Sequence, residues 1–140
     1  PQIDTTRNLA MYRALTAAMG EGLVRSAHDC SDGGLAVAVA ECCFGCDGAT
    51  TINLDALANE NVDEWAILFG ESLGRILVSV KPEDAETFEA AMSGNAIARI
   101  GTVDDKKTLQ FTMGGNTLLK ANLTTLLNSW KGTLNMGGGE

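Results

Sequence analysis

Two glycine-rich loops contain the residues of this chain that are best suited to ligand chemistry. The first loop has the sequence HDCSDGG, residues 28–34, between a predicted strand and a predicted helix. Its two glycines let backbone approach a ligand closely. A helix start also offers unpaired N–H groups to a phosphate, and carboxylates suit Mg²⁺ that bridges to phosphate. Capping of the helix by the loop's own side chains explains the same residue types without a ligand. The candidate binding residues are Asp29, Ser31, Asp32, Gly33 and Gly34.

His28 opens this loop and is the single histidine of the chain. An imidazole titrates near neutral pH and suits acid–base catalysis. A lone histidine beside a strand is more typical of a structural role, so we keep His28 as a candidate without an acid–base assignment. The sequence shows no nucleophile–base pair and no Walker loop. The catalytic residues therefore stay unassigned.

The second loop has the sequence GESLGR, residues 70–75, and lies directly before a predicted strand. The guanidinium group of Arg75 suits forked recognition of phosphate or carboxylate. Ser72 adds a hydroxyl, and Gly74 leaves room for a ligand. Glu71 either pairs with Arg75 in the empty state or binds a ribose hydroxyl. A solvated Glu71–Arg75 pair at the surface is the alternative without a ligand, since such pairs are common and weak.

Three of the four cysteines crowd into five positions, as Cys42, Cys43 and Cys46. The spacing from Cys43 to Cys46 is that of half a zinc site, but a second such pair is missing. Cysteine also packs as a small apolar side chain, which is the interpretation we favour, so we predict no metal site. A cluster of this kind is a poor disulfide framework. It indicates a reducing compartment, and we expect the cytoplasm.

The length and charge of the chain exclude several broad classes of protein. We expect 140 residues to form a single compact domain over residues 1–132, followed by a flexible tail at 133–140. A net charge of −8 argues against broad nucleic-acid binding, which needs a basic surface. No apolar run reaches the ~20 residues of a membrane span. Because the first residue is not Met, we expect either a processed product or a piece of a longer protein.

Helices and strands alternate along the chain, and a hairpin is predicted near its end. This order predicts an α/β (α+β) fold with layered helices on a mixed sheet. Apolar periodicity and β-branched runs give the individual elements. Helices are predicted at 4–19, 35–44, 63–68, from 81 and at 123–132, and strands at 23–27, 49–54, 76–80, 97–103 and 108–113, the last two as hairpin partners.

Both loops resemble segments of one enzyme family. Residues 27–38, AHDCSDGGLAVA, resemble the HDVSDGGLAVAL segment of the phosphoribosylformylglycinamidine synthase family. Residues 69–75, FGESLGR, with the strand that follows, resemble that family's FxES-x-xR segment. The strand at 97–103 and the closing helix fit the family's C-terminal end. The resemblance covers about residues 1–131. The first loop alone is shared more loosely by the wider superfamily similar to aminoimidazole-ribonucleotide synthetase.

The resemblance implies that the chain is the last domain of a much longer ATP-dependent ligase and is inactive alone. Its fold would be similar to the C-terminal domain of aminoimidazole-ribonucleotide synthetase. The family converts formylglycinamide ribonucleotide and glutamine-derived ammonia to the amidine, using ATP and Mg²⁺. The implied partners are the remaining domains of the same polypeptide and a glutaminase subunit or domain, with a homodimer as a further candidate.

The resemblance also implies roles for the two loops. Glu71, Ser72 and Arg75 match the loop that contacts ligand phosphate or sugar, and residues 29–34 match a turn that faces the cleft. The family's other copy of the second loop usually has Gln after the Ser, where this chain has Leu73. The amide lost there implies that this half faces an auxiliary nucleotide site instead of the substrate.

Three other functions remain open at the level of sequence. The first is a free-standing nucleotide-binding or assembly module of the same superfamily. The second is a cysteine-based metal or redox protein. The third is a superfamily relative such as a hydrogenase-maturation protein or a thiamine-phosphate kinase, which the second loop argues against.

Overall fold

The computed structural model describes residues 3–46, 48–58 and 62–132, and the chain divides into two compact units. The first unit comprises residues 1–38 and 69–98, and the second comprises residues 39–68 and 99–140. The predicted tail at 133–140 lies outside the described residues. The helices are α1 (Thr5–Gly20), α2 (Gly34–Gly45), α3 (Glu64–Phe69), α4 (Ala85–Ala91) and α5 (Leu123–Gly132); the strands are β1 (Ser26–Asp29), β2 (Ala49–Asn53), β3 (Ile76–Ser79), β4 (Gly101–Asp104), β5 (Thr108–Met113) and β6 (Asn116–Asn122).

Helix α1 begins and ends where the sequence predicts. The carboxylate of Asp4 accepts a hydrogen bond from the backbone N–H of Arg7 at 2.9 Å, which satisfies one of the unpaired donors of the first turn. The chain leaves the helix after Gly20 and reverses through Gly22 at φ +77°. The side chains that this helix buries are Leu15 and Ala18.

The core of the first unit lies between α1, α4 and the two-stranded sheet. Its buried members are Leu15, Ala18, Leu23, Phe88 and Met92, and residues of β3 pack against them. Phe88 of α4 and Met92 directly after it are both buried in this core. Apolar residues of α1 outside this core, among them Leu9 and Tyr12, are exposed.

Strands β1 and β3 pair in antiparallel fashion, with Asp29 opposite Ile76. The end of β1 therefore lies beside the start of β3. The first loop leaves the sheet and the second loop enters it at this shared end. The strand predicted at 23–27 lies too early in the chain. Its bounds follow the pairing with β3 and not the apolar run, so His28 lies inside β1.

The second unit contains a mixed four-stranded sheet in the order β4-β2-β5-β6. Strands β2 and β5 are parallel, and the other pairs are antiparallel. The mixed sheet predicted from the sequence is thus confirmed. Ile52 of β2 lies opposite Phe111 of β5, and both side chains are buried.

Two predictions about the strands of this unit are wrong. Residues 97–103 and 108–113 are not hairpin partners, because β2 lies between β4 and β5 and pairs with both. The first of these strands also begins only at Gly101. The hairpin is formed instead by β5 and the unpredicted β6, joined by Gly114 and Gly115 at φ +56° and +78°. Two glycines at positive φ fit the two-residue turns that match strand twist.

No helix in the described part of the chain is both long enough and apolar enough to span a bilayer.

Candidate functional site

The two loops meet at the shared end of β1 and β3, inside the first unit. The backbone N–H of Gly33 donates a hydrogen bond to Oε1 of Glu71 at 2.8 Å. The N–H of Cys30 donates to the carbonyl of Arg75 at 3.1 Å. The first of these contacts joins the Glu71 side chain to the start of α2, and the second joins backbone to backbone. All the binding residues predicted from the sequence therefore lie in one connected pair of loops.

The first loop uses glycine where the backbone requires it. Gly33 and Gly34 have φ +75° and +70°, a conformation that residues with a Cβ rarely adopt. A Cβ on Gly33 would lie 2.9 Å from Cβ of Val37 and closer still to a methyl group of that residue. The turn into α2 therefore requires Gly33 for its conformation and for space.

The N–H group before α2 is satisfied by the second loop. Glu71 places a carboxylate on Gly33, at the positive end of the helix dipole. The sequence suggested Ser31 or Asp32 as the cap, but the hydroxyl of Ser31 donates to the carboxylate of Asp29. A phosphate bound at this helix start would have to displace or share the position of Glu71.

The second loop is closed by its own arginine. Nη1 of Arg75 donates to the carbonyl of Gly70 at 2.9 Å, and the Arg75 side chain is half-buried. Gly74 lies between them in the chain at φ +82°. Glu71 and Ser72 are exposed at the loop tip. The same loop therefore carries the guanidinium group and two further side chains, those of Glu71 and Ser72, that could contact a phosphate or sugar.

Asn8 of α1 is a neighbour of this loop that the sequence did not indicate. A Cβ on Gly74 would lie 2.9 Å from both Oδ1 and Nδ2 of Asn8. Helical spacing places Asn8 on the same face as Thr5 and Tyr12, and this much can be seen in the sequence. Nothing in the sequence, however, indicates which loop that face meets.

Charge in the first loop is set by a hydrogen bond within it. The hydroxyl of Ser31 donates to Asp29 and lowers the pKa of that carboxyl from its ordinary value of 3.8. His28 lies in β1 opposite Leu77 and is half-buried, and its positive form contributes a smaller lowering of the same pKa. The carboxyl group of Asp29 therefore stays ionised to a lower pH than that of an ordinary aspartate.

Replacing Ser31 by alanine is expected to raise the pKa of Asp29 toward its ordinary value, because the donor is lost. A lowered pKa stabilises the fold above the unfolded-state pKa, and this gain disappears as pH falls through the folded-state pKa. In Ser31→Ala the stabilisation from ionised Asp29 should be smaller at neutral pH. As pH falls, it should also be lost at a higher pH than in the unchanged protein. A carboxyl NMR titration of both proteins measures this. An unchanged Asp29 pKa would contradict the hydrogen bond.

The cysteines support packing over metal binding. The structure describes all four cysteines, and each is a thiol that is not part of a disulfide bond. Burial raises the pKa of Cys43 to about 11, and burial likewise raises that of Cys30. Such thiols are protonated at neutral pH and react slowly. Within residues 3–46, 48–58 and 62–132, no group of three or more His, Cys, Asp or Glu side chains is placed to hold a metal ion.

The paired loops present more negative than positive charge. Asp29, Asp32 and Glu71 are exposed, and Arg75 is the guanidinium group among them. A bare phosphate would meet three carboxylates, whereas ribose hydroxyls could donate to them. The arrangement therefore suits a phosphate on Arg75 with a sugar beside Glu71 better than a free anion.

A family model described as AIR synthase related protein, C-terminal domain, matches residues 2–114 of the chain. Phosphoribosylformylglycinamidine synthase subunit PurL of Lactobacillus helveticus (strain DPC 4571) is 40% identical over 117 residues, which cover 84% of this chain and 15% of that protein. The same subunit of Lactobacillus acidophilus (strain ATCC 700396 / NCK56 / N2 / NCFM) is 42% identical over 113 residues, covering 81% and 14%. The chain therefore spans about one-seventh of the length of these relatives.

Solved structures share the fold. T. maritima PurL complexed with FGAR superimposes with a TM-score of 0.76 at 20% identity, covering 85% of this chain and 20% of that one. T. maritima PurL complexed with ATP gives 0.71 at 21% identity, covering 84% and 21%. The PurLQS structure from Thermotoga maritima gives 0.72 at 21% identity, covering 85% and 21%. These likenesses confirm the α/β architecture predicted from the sequence.

Proposed function

Since this chain belongs to the family of the AIR synthase related protein, C-terminal domain, we propose that it is the last domain of a long phosphoribosylformylglycinamidine synthase. Residues 1–132 would act as one domain that lines the ligand cleft. The whole protein would convert formylglycinamide ribonucleotide, ATP and ammonia to formylglycinamidine ribonucleotide. This domain alone would not turn over substrate, because it spans only about one-seventh of the length of its relatives.

One observation carries the proposal: the contact between Gly33 and Glu71 joins the two loops that resemble this enzyme family. Neither loop alone is specific, since a turn into a helix and a surface Glu–Arg pair are common. Their direct contact at one end of β1 and β3 brings the candidate binding residues together, which supports a ligand-binding function. The relatives at 40% and 42% identity bear the name of this enzyme's subunit.

The fit to a nucleotide is partial. Arg75 suits a phosphate, and Glu71 suits a ribose hydroxyl. We propose that Glu71, Ser72, Gly74 and Arg75 contact such a ligand, with residues 29–34 facing the cleft. Among the described residues, no group of three or more His, Cys, Asp or Glu side chains is placed to hold a metal ion by itself. We propose that Mg²⁺ and the reacting ATP are held by the rest of the protein.

Partners and compartment follow from the same proposal. One solved neighbour is a PurLQS structure, and we propose that a glutaminase supplies ammonia to this protein too. The other domains of the same polypeptide are the direct neighbours of this chain, with a homodimer as the alternative. The four thiols support a reducing compartment, which we propose is the cytoplasm.

A segment swap tests this function. In the Lactobacillus helveticus subunit, the 117 matched residues are replaced by the corresponding residues of this chain. The hybrid is expected to restore growth of a synthase-deficient strain without added purine. A hybrid with a scrambled first loop is the control and should fail. Failure of the intact hybrid to complement, despite normal expression and folding, would contradict the proposal.

The size of the native protein separates this function from a free-standing module. An immunoblot of the source cells with antibodies against this chain should show a band several times larger than 14.7 kDa. A band at that mass would favour the free-standing nucleotide-binding or assembly module instead.

A further inference from the structure

We infer that the exposed face of α1 and the tip of the second loop form the subsite for the adenine base of the nucleotide whose phosphate binds Arg75. This inference rests on the proposed function, because it requires a nucleotide at the second loop. The subsite is a groove of about 460 Å³ within the first unit, which we call the α1 groove. It is lined by Ile3, Thr5, Asn8, Leu9, Tyr12 and Leu73.

The size and composition of the α1 groove suit a flat heterocyclic base. Small-molecule pockets have volumes of roughly 300–1,000 Å³ and combine apolar and aromatic side chains with a few polar groups. Ile3, Leu9 and Leu73 provide the apolar surface of this groove, and Tyr12 provides an aromatic ring that is 42% exposed. A base stacks on such a ring. None of the described lining residues is charged, so the groove suits the base and not the phosphate.

The α1 groove is continuous with the loop that we assign to the phosphate. Leu73 lines the groove, and Arg75 follows it by two positions, so their Cα atoms lie within about 7 Å of each other. A Cβ on the intervening Gly74 would lie 2.9 Å from both Oδ1 and Nδ2 of Asn8. The loop therefore lies directly against the groove, and one nucleotide can reach from Arg75 into it.

The amide of Asn8 favours adenine among the bases. Asn8 is half-buried, and its side chain offers both a donor and an acceptor. These match the N7 acceptor and the N6 amino group of adenine. Guanine presents two acceptors at the corresponding edge and two donors at its other edge, which suit a cation and a carboxylate. The described residues that line the groove supply neither, so Asn8 is the residue that determines base specificity.

Photoaffinity labelling tests the α1 groove in the unmodified protein. The native protein from its source cells is irradiated with 2-azido-ADP, whose reactive group is on the base, and is then digested with trypsin. Cleavage after Arg7 and Arg13 releases residues 8–13, which contain three of the six lining side chains. This peptide should carry the label. Excess ADP should prevent the labelling, and ribose 5-phosphate at the same concentration should prevent little of it. Residues 14–25 lie outside the groove and form the control peptide.

Two outcomes of the labelling would overturn the inference. Absence of an ADP-sensitive label from residues 8–13 would show that no adenine base lies in the α1 groove. Equal protection of this peptide by ADP and by GDP would show that the groove does not select adenine. Neither outcome bears on complementation by the segment swap, so failure of the base subsite is distinguishable from failure of the proposed function.

Asn8→Asp should reverse the base preference. A carboxylate has nearly the size of the amide but lacks its donor, and it suits the N1–H and N2 amino donors of guanine. The ADP concentration that protects residues 8–13 should rise roughly tenfold, and the protecting GDP concentration should fall roughly tenfold. Thr6→Asp adds the same charge at an exposed position of α1 outside the groove and should change neither concentration. Equal shifts in the two variants would contradict recognition of the base by Asn8.

Discussion

Gly33→Val is expected to lower the free energy of unfolding by about 3 kcal/mol, from backbone strain and overpacking together. Gly33 has φ +75°, and a residue with a Cβ loses roughly 1–2 kcal/mol in that conformation. The added side chain would also collide with Val37, whose Cβ would lie 2.9 Å from the new Cβ. Overpacking of this kind adds about 1–3 kcal/mol. Urea unfolding of the 140-residue chain measures the loss.

Gly22→Val separates the two causes of this loss. Gly22 has nearly the same conformation, φ +77°, but a Cβ there would meet no atom within 4 Å. Its replacement should therefore show backbone strain alone, roughly 1–2 kcal/mol. The difference between the two variants isolates the collision with Val37. Equal losses would show that the space around Gly33 has no role.

The first loop was predictable because its requirements are local. A strand end, two glycines and an apolar run without Pro or Gly define a turn into a helix within a few residues. Gly33 and Gly34 both have positive φ, so this turn requires glycine. The same locality explains why the start of α1 at Asp4 could be placed correctly.

Strand pairing in the second unit could not be predicted in the same way. Sequence neighbours suggested a hairpin of residues 97–103 with 108–113. The structure inserts β2, about fifty residues earlier in the chain, between them. Ile52 lies opposite Phe111 in this pairing and both side chains are buried, and the sequence does not show which distant strand supplies such a partner. Strand β6 was missed because its residues are mostly polar or half-buried.

The site was predictable as two loops but not as one contact network. Sequence reasoning paired Glu71 with Arg75 or with a ribose, since these residues share a loop. The structure shows Glu71 on the N–H of Gly33, 38 positions away. That contact depends on the antiparallel register of β1 with β3, which brings both loops to one end. The neighbour Asn8 depends likewise on how α1 packs against the sheet.

Arg75→Ala in the long protein is expected to weaken ADP binding by about 2 kcal/mol, or roughly thirtyfold in Kd, because a hydrogen bond to a charged group is lost. We propose, from the resemblance of the second loop with Leu73 in the position of the family's Gln, that the ligand is the auxiliary nucleotide, so the KM for formylglycinamide ribonucleotide should stay nearly constant. Loss of the bond from Arg75 to the carbonyl of Gly70 should destabilise the fold by only ~1 kcal/mol. Calorimetric titration with ADP and steady-state kinetics measure the two quantities.

Two companion variants decide what Arg75 and Glu71 each do. Arg75→Lys retains the positive charge but loses the planar fork, so an intermediate loss of ADP affinity would indicate forked recognition. Glu71→Gln keeps an acceptor for the N–H of Gly33 and removes a negative charge beside the proposed phosphate. Weaker ADP binding in Glu71→Gln would place its carboxylate on the ribose, and tighter binding would show that it competes with the phosphate for the start of α2. Unchanged ADP affinity in Arg75→Ala, with a raised KM for formylglycinamide ribonucleotide, would instead place this loop at the substrate.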